Sequence, residues 1–159
     1  MSAKKTYLVT GGLGFIGLNF IEYLLKKFSN INVINIDSMV YPTAAKNLEH
    51  LASFENHHFV KLDITDRSSL EKLFKDYDFD VVVHFAAESH VDTSIINPGS
   101  FIDTNIVGTF NLLDISKNYI ADNNLDQNNF RFHHISTDEV YGSLSAADPS
   151  FKETNKYFP

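Results

Sequence analysis

The chain contains no cysteine among its 159 residues, and it has no excess of positive charge. Without cysteine there can be no disulfide, no thiolate metal site and no cysteine nucleophile. The 13 basic and 20 acidic residues leave a net charge of −7, so no diffuse positive field exists to attract nucleic acid or anionic lipid. The start of the chain also lacks a long apolar run, because "MSAKK" leads directly into a short apolar segment. We therefore expect a cytoplasmic protein without nucleic-acid or membrane partners.

What is present is a regular alternation of short apolar segments with longer amphipathic ones. The segments "TYLVT" and "INVINID" enclose apolar residues at helical spacing, which predicts one βαβ unit. Further strands are predicted at "HHFVKLD", "DVVVHFAA" and "FRFHHIS", and further helices at "DRSSLEKLFKDY" and from Pro98 to about Ala121. The pattern predicts an α/β fold: one Rossmann-type, doubly wound parallel sheet of about five strands, with helices on both faces.

Two later segments carry additional information. Apolar residues cover more of the helix from Pro98 than a single core-facing stripe requires, so we expect it to bury a second face against another surface. The segment "YIADNNLDQNNFR" is rich in Asn and Asp and predicts a surface loop. Residues 143–159 show no periodicity and no natural domain end.

A glycine-rich turn follows the first strand. In "LVTGGLGFIG", Gly11, Gly14 and Gly17 are three residues apart, where the strand gives way to a helix. There the first glycine allows a tight turn, the second lets a pyrophosphate approach the backbone, and the third lets helix and strand pack closely. The alternative is a merely flexible turn, but the βαβ context favours a dinucleotide site.

Two carboxylates follow the second and third strands. Asp37 stands 20 residues after Gly17, the separation at which an acidic side chain accepts hydrogen bonds from the adenosine ribose. It favours NAD, because a 2′-phosphate would meet a like charge and "DSMVYPT" offers no Arg; the alternative is a solvated loop carboxylate. Asp63 has two equally weighted interpretations, as a contact to the adenine edge or as a cap of the next helix.

The stretch "HHISTDEVYG" places Thr137, Asp138 and Glu139 side by side after the fifth strand. Such residues often only cap and turn a chain. Behind a dinucleotide turn, however, adjacent carboxyl groups can serve as a general acid and a general base. The histidines are interpreted as structural: neighbours in the pairs at 57–58 and 133–134 point to opposite faces of a strand, and His84 and His90 suit packing or hydrogen bonding better than metal binding.

The motifs "HFAAESHVDTSI", "DTNIVGT" and "ISTDEVYG", together with the glycine turn, resemble the nucleotide-sugar 4,6-dehydratases of the extended short-chain dehydrogenase/reductase superfamily. The resemblance spans the whole chain and is strongest to members that act on dTDP-glucose. The glycine turn is shared by the superfamily, whereas "AAESHVD" and "STDEVYG" are specific to this group. Epimerases of this fold tend to have small residues in place of Asp138 and Glu139, and decarboxylases usually lack the Asp.

The resemblance implies NAD as cofactor and a nucleotide sugar as substrate, and it assigns roles to residues. Glu139 would be the base that removes the C5 proton of a 4-keto sugar, Asp138 the acid for the departing C6 hydroxyl, and Thr137 a hydrogen-bond partner of the C4 oxygen. Ser89 would lie near the sugar or its phosphate. The cofactor contacts implied are Gly11, Gly14, Phe15, Ile16, Gly17, Asp37, Asp63, Ile64, Ala86, Ala87, Glu88 and Thr104.

The sequence also departs from the family pattern. Thr93 stands where the family usually has Arg, and neither Tyr141 nor Tyr157 is followed by Lys four residues later, as in the family's Tyr-x-x-x-Lys motif. We therefore expect residues 1–142 to be an incomplete NAD-binding domain, and residues 143–159 a loop leading to a Tyr-x-x-x-Lys helix and substrate domain outside this chain. On this hypothesis the chain alone is an inactive amino-terminal part of an enzyme that dimerises through the helix from Pro98. The alternatives are a non-catalytic NAD-binding or protein-interaction domain, or a UDP- or CDP-glucose 4,6-dehydratase.

Overall fold

Five parallel strands lie at the centre of the molecule in the order β3-β2-β1-β4-β5. The computed structural model describes residues 4–126 and 128–159. The strands are β1 (Lys5–Thr10), β2 (Ile31–Asp37), β3 (His57–Lys61), β4 (Val81–His84) and β5 (Arg131–His134). The helices are α1 (Phe15–Lys27), α2 (Ala44–Leu51), α3 (Arg67–Asp76), α4 (Val91–Ile96), α5 (Pro98–Phe101), a π-helical turn (Ile102–Gly108), α6 (Thr109–Asp122) and a 3₁₀ turn (Asp138–Tyr141). The predicted Rossmann-type fold is confirmed.

The sheet separates two apolar cores because successive side chains of a strand point to opposite faces. Leu8, Ile34 and Val82 pack on the face covered by α3 and α6. Val9, Val33 and Val83 pack on the opposite face, against α1 and α2. Burial of each such side chain stabilises the fold by about 1.5–3 kcal/mol relative to exposure. The continuous apolar runs of β1, β2 and β4 are therefore explained by cover on both faces.

The structure corrects several predicted boundaries. Helices α2 and α4 were not predicted, and β4 ends at His84 rather than at Ala87. The predicted surface loop begins too early, since α6 continues to Asp122. The reason is Tyr119, which is buried and whose hydroxyl accepts a hydrogen bond from the Phe79 N–H at 2.9 Å. Residues 1–3 of the predicted domain and Gln127 of the predicted loop lie outside the described residues.

The helix predicted from Pro98 is continuous but not uniform, because α5 passes through the π-helical turn into α6. Its inner face supplies Leu112 and Ile115 to the core. Its outer face carries five apolar residues that are at least 41% exposed. They are Ile102, Ile106, Val107, Phe110 and Leu113. The expected second apolar face therefore exists, and it is open.

Candidate active site

The predicted site residues gather at one edge of the sheet. Because all pairings are parallel, the segments after the five strands leave the sheet at the same edge. The order of strands reverses between β1 and β4, since the chain moves outward from β1 to β2 and β3 and then returns to β4. Ligands of open α/β sheets bind in the crevice at such a switch point.

Two glycines of the turn are required by the packing. Gly11 has a φ of +68°, its N–H donates to the Ile36 carbonyl at 2.9 Å, and an added Cβ would lie 2.6 Å from the backbone nitrogen of Ala86. A Cβ on Gly17 would lie 2.4 Å from the carbonyl oxygen of Gly11. The turn is thus pressed between β4 and the start of α1.

Gly14, by contrast, is exposed. It precedes α1 in an extended conformation and supplies no side-chain cap, and a Cβ added there would meet only the Gly11 carbonyl oxygen, at 3.2 Å. The N–H groups of the first turn therefore have no capping side chain and suit an anion. Phe15 and Ile16 flank this approach and are 84% and 61% exposed.

Asp37 connects the end of β2 to the glycine turn. Its carboxylate accepts hydrogen bonds from the Leu13 N–H at 3.1 Å and from the Met39 N–H at 2.8 Å. The Leu13 carbonyl accepts in turn from the Asn47 side chain at 2.7 Å. Asp37 is therefore not a freely solvated loop carboxylate.

Asp63 forms a local turn instead of capping a helix. Its carboxylate accepts from the backbone N–H and hydroxyl of Thr65 at 2.9 and 2.8 Å, whereas Asp66 is the N-cap of α3. Asp63 is exposed and lines an open cleft together with Ser38 and Val40. The neighbouring Ile64 is 3% exposed, so its side chain belongs to the core beneath the cleft.

The loop after β4 is fixed by two polar side chains. The Ala86 N–H donates to the hydroxyl of Thr10 at 3.2 Å. Asn105, on the π-helical turn, holds the Glu88 backbone at both groups: the Glu88 N–H donates to its side-chain oxygen at 2.8 Å, and its amide donates to the Glu88 carbonyl at 2.9 Å. Ala87 and Ser89 are exposed, and Thr104 is half-buried beside Asn105. The role of Asn105 was missed, although it stands within the quoted "DTNIVGT".

His84 lies buried beneath this loop. Its Nδ1 is 2.6 Å from the Thr10 hydroxyl, and its Nε2 is 2.9 Å from the Thr109 hydroxyl. The Thr10 hydroxyl oxygen also accepts from the Ala86 N–H, so His84, Thr10 and the loop after β4 belong to one hydrogen-bond network, in which the tautomer of His84 sets the direction of its two bonds. Burial, with a smaller contribution from His134, lowers the pKa of His84 to about 4, so the ring is neutral at pH 7.

The Thr137, Asp138 and Glu139 residues form a short exposed turn beyond β5. The Thr137 hydroxyl caps the 3₁₀ turn by accepting from the Glu139 N–H at 3.3 Å. Within residues 4–126 and 128–159, neither the Asp138 nor the Glu139 carboxylate accepts a hydrogen bond. Turn formation therefore uses the Thr137 hydroxyl and leaves both carboxylates available.

The end of the chain folds back onto this turn. The Phe158 N–H donates to the Val140 carbonyl at 2.9 Å, and the ring of Tyr141 packs against those of Phe151 and Tyr157. Tyr141, Tyr157 and Asp138 line an open pocket beside Thr137. No sequence periodicity signalled this contact.

The chain has one Tyr-x-x-x-Lys spacing, formed by Tyr23 and Lys27. Both residues lie in the last turns of α1, whereas the glycine turn leads into its other end, with Gly17 in the first turn of the helix. This pair therefore lies at the wrong end of the helix to reach the site.

No group of three or more His, Asp or Glu side chains in the described part of the chain could hold a metal ion. None of the helices within residues 4–126 and 128–159 is both long and apolar enough to cross a membrane.

Together these features define a dinucleotide-binding α/β domain with an acidic turn at the same edge of its sheet. The family profile described as GDP-mannose 4,6 dehydratase matches residues 8–159, and the chain belongs to this family. The resemblance to nucleotide-sugar 4,6-dehydratases is thereby confirmed.

Similar proteins include the dTDP-glucose 4,6-dehydratase of Haemophilus influenzae, which is 46% identical over 96% of this chain and 45% of its own length. The crystal structure of the Bacillus anthracis dTDP-glucose 4,6-dehydratase in complex with NAD has a TM-score of 0.80 and 37% identity, over 98% of this chain and 44% of that one. A UDP-glucuronic acid 4-epimerase from Bacillus cereus, solved with NAD and a UDP-sugar, has a TM-score of 0.80 and 33% identity, and the match covers 97% of this chain and 46% of that one. This chain thus spans less than half the length of these relatives.

Proposed function

We propose that this chain forms the NAD-binding and acid–base part of a nucleotide-sugar 4,6-dehydratase that acts on dTDP-glucose. The observation that carries the proposal is the position of the Asp138–Glu139 pair. Both carboxylates are exposed and unbonded within the described residues, at the sheet edge that also bears the glycine turn. Epimerases of the same fold need a dinucleotide site but not two adjacent carboxyl groups.

The residues present fit NAD. Gly11 and Gly17 leave no space for a Cβ, while Gly14 opens the approach to the start of α1. Asp37 lies at the end of β2, where it can bind the adenosine ribose. The two arginines of the sequence are Arg67 and Arg131, and neither lies in the segment between β2 and α2. Arg67 is paired with Glu71 and Asp114. The site therefore suits a ribose hydroxyl and disfavours a 2′-phosphate.

The acidic turn supplies the proton transfers. Glu139 removes the C5 proton of the 4-keto sugar, and Asp138 protonates the C6 hydroxyl as it departs. Thr137 has a hydroxyl proton to donate to the C4 oxygen, because its oxygen accepts from the Glu139 N–H. Bound NAD would supply the oxidation of the sugar at C4 and the return of that hydride at C6. Ser89, exposed after β4, is assigned to the sugar or its phosphate.

The isolated chain is expected to bind NAD without turnover. The family's reaction needs a Tyr and a Lys at the nicotinamide, and Tyr23 with Lys27 cannot reach it from the end of α1. We also propose a cytoplasmic location. The complete enzyme is proposed to form a homodimer through the open apolar face of the π-helical turn and α6.

The test is a chimera that joins this chain to the carboxyl-terminal part of the Haemophilus influenzae enzyme. It is assayed with NAD and separately with dTDP-, UDP- and CDP-glucose, with the isolated chain as control. We expect formation of a 4-keto-6-deoxy sugar from dTDP-glucose by the chimera alone. Preference for UDP- or CDP-glucose would contradict the assignment of dTDP-glucose as the substrate. A folded chimera that binds NAD without dehydrating any of the three sugars would support the non-catalytic alternative.

A further inference from the structure

The loops after β2 and β4 are joined by the side chain of Tyr41, which the proposed chemistry does not use. Tyr41 lies in the segment between β2 and α2, and its hydroxyl donates a hydrogen bond to the Glu88 carboxylate at 2.7 Å. The Tyr41 ring also packs edge-on against the His90 ring, with the ring centres 5.5 Å apart. The two residues of the hydrogen bond are 47 positions apart in the sequence, so the contact is a tertiary one.

Both ends of this contact are anchored. Asn105, on the π-helical turn, holds the Glu88 backbone through two hydrogen bonds, so the Glu88 carboxylate projects from a loop that is fixed against that turn. On the other side, Tyr41 is four residues beyond Asp37, whose carboxylate is bonded to the backbone at Leu13 and Met39. The contact therefore links the segment that follows the predicted ribose-binding residue with the loop of Ala86, Ala87 and Glu88, which are predicted to contact the cofactor.

The order of strands determines where the contact passes. β2 and β4 are the two neighbours of β1, and their loops leave from the same edge as the glycine turn. A bond between those two loops must span the glycine turn and the crevice above it. We infer that the hydrogen bond from Tyr41 to Glu88 forms a strap across the dinucleotide crevice, which holds the bound dinucleotide in position and slows its dissociation.

The chemistry of the pair suits this role. Burial, together with the adjacent Glu88 carboxylate, raises the pKa of Tyr41 to about 12, so the phenol keeps the proton that it donates. A hydrogen bond to an ionised acceptor is stronger than a neutral one. Because Tyr41 is 41% exposed, the strap can also open by rotation of the side chain to admit the ligand.

The experiment measures the rate of NAD dissociation from the immobilised chain by surface plasmon resonance. The variants are Tyr41→Phe, Glu88→Ala and the double substitution, and the control is Tyr23→Phe, which removes another phenol that bonds to a charged side chain far from the crevice. We expect Tyr41→Phe to raise the dissociation rate about three- to tenfold, the change expected for one partly exposed hydrogen bond to a charged group. The control should not differ from the parent chain. The thermal midpoint of each variant is measured alongside, and all variants are compared at a temperature well below it, so that the dissociation rates refer to folded protein.

The double substitution distinguishes a strap from two separate effects. If the hydrogen bond is responsible, Tyr41→Phe has no further effect once Glu88 is Ala, even when Glu88→Ala also alters a direct contact to NAD. An unchanged dissociation rate in Tyr41→Phe, an undiminished effect in the Glu88→Ala background, or a faster association with unchanged dissociation would each overturn the strap. Because NAD binding is itself part of the proposed function, the parent chain is measured first: absence of NAD binding there refutes the cofactor assignment, whereas binding without an effect of Tyr41 refutes only the strap.

Discussion

Substitution of Gly17 and of Gly14 by Ala should separate packing from ligand binding in the glycine turn. A Cβ at Gly17 would lie 2.4 Å from the Gly11 carbonyl oxygen and 2.8 Å from the Gly12 Cα. Both are backbone atoms, so the start of α1 must shift away from β1. Overpacking of this kind lowers the free energy of unfolding by about 1–3 kcal/mol. The gain in helix propensity from Gly to Ala, at most about 1 kcal/mol, does not offset the larger values in that range.

Substitution of Gly14 by Ala should weaken NAD binding and leave the stability nearly unchanged. Its φ of −73° and ψ of 169° are accessible to alanine, and its Cβ would meet only one oxygen, at 3.2 Å. We expect the free energy of unfolding of Gly14→Ala to stay within about 1 kcal/mol of the parent value. The methyl group would nevertheless occupy the surface that a pyrophosphate must approach. NAD affinity should therefore fall at least about tenfold, equivalent to 1.4 kcal/mol.

The assay pairs urea unfolding, followed by circular dichroism, with calorimetric titration of NAD into each variant. The expected result is a crossed pattern: Gly17→Ala loses stability, and Gly14→Ala loses affinity at nearly unchanged stability. If Gly14→Ala binds NAD as tightly as the parent chain, the pyrophosphate does not sit on this turn. The turn would then be a structural feature only.

Three further predictions follow from single features of the structure. Because Asp37 would face a 2′-phosphate with no Arg in its loop, NADP should bind at least about tenfold more weakly than NAD. Equal affinities for NAD and NADP in parallel titrations would show that Asp37 does not contact the ribose. The open face around Ile106 and Phe110 should make the chain self-associate, and Phe110→Glu should shift it towards monomer in sedimentation velocity, whereas a parent chain that is strictly monomeric would contradict this. Burial lowers the pKa of His84 from 6.5 to about 4, so the ring takes up a proton when the chain unfolds at a pH between these two values. The stability that the neutral ring contributes is complete above pH 6.5 and falls by roughly 3 kcal/mol as the pH falls towards 4. His84→Gln should therefore make the free energy of unfolding less dependent on pH in this range. An unchanged pH dependence in His84→Gln would show that the ring is already protonated in the folded chain.

The spacing of apolar residues along the sequence predicted the strands and helices that bury many side chains. β1, β2 and the helix after the glycine turn have continuous or periodic apolar residues, and the structure contains them where the sequence places them. Helix α2 was missed because only Ala44 and Leu51 are buried on it. Helix α4 was missed because none of its residues is buried, so its apolar side chains form no stripe directed to the core. The π-helical turn left no signal in the spacing of apolar residues.

The site was predictable in its parts but not in its connections. The glycine spacing, the acidic residue after β2 and the acidic turn after β5 were each visible as motifs, and their roles remain predictions. The contacts between loops were not visible. Glu88 bonds to Asn105 and Tyr41, which are 17 and 47 positions away, and these pairings arise only when the strand order brings the loops together. Gly12 was likewise overlooked, although its Cβ would lie 2.1 Å from the buried Asn35 side chain.

On the function proposed above, Asp138 and Glu139 perform different proton transfers at one sugar. The most direct test is to incubate the chimera with dTDP-glucose in deuterium oxide and to follow the incorporation of deuterium at C5 and the loss of water. We expect Glu139→Gln to suppress both, and Asp138→Asn to retain C5 exchange while slowing dehydration by about 10²- to 10⁴-fold. If Glu139→Gln exchanges the C5 hydrogen as fast as the parent chimera, or if both variants lose both steps alike, the two carboxylates are not the base and the acid.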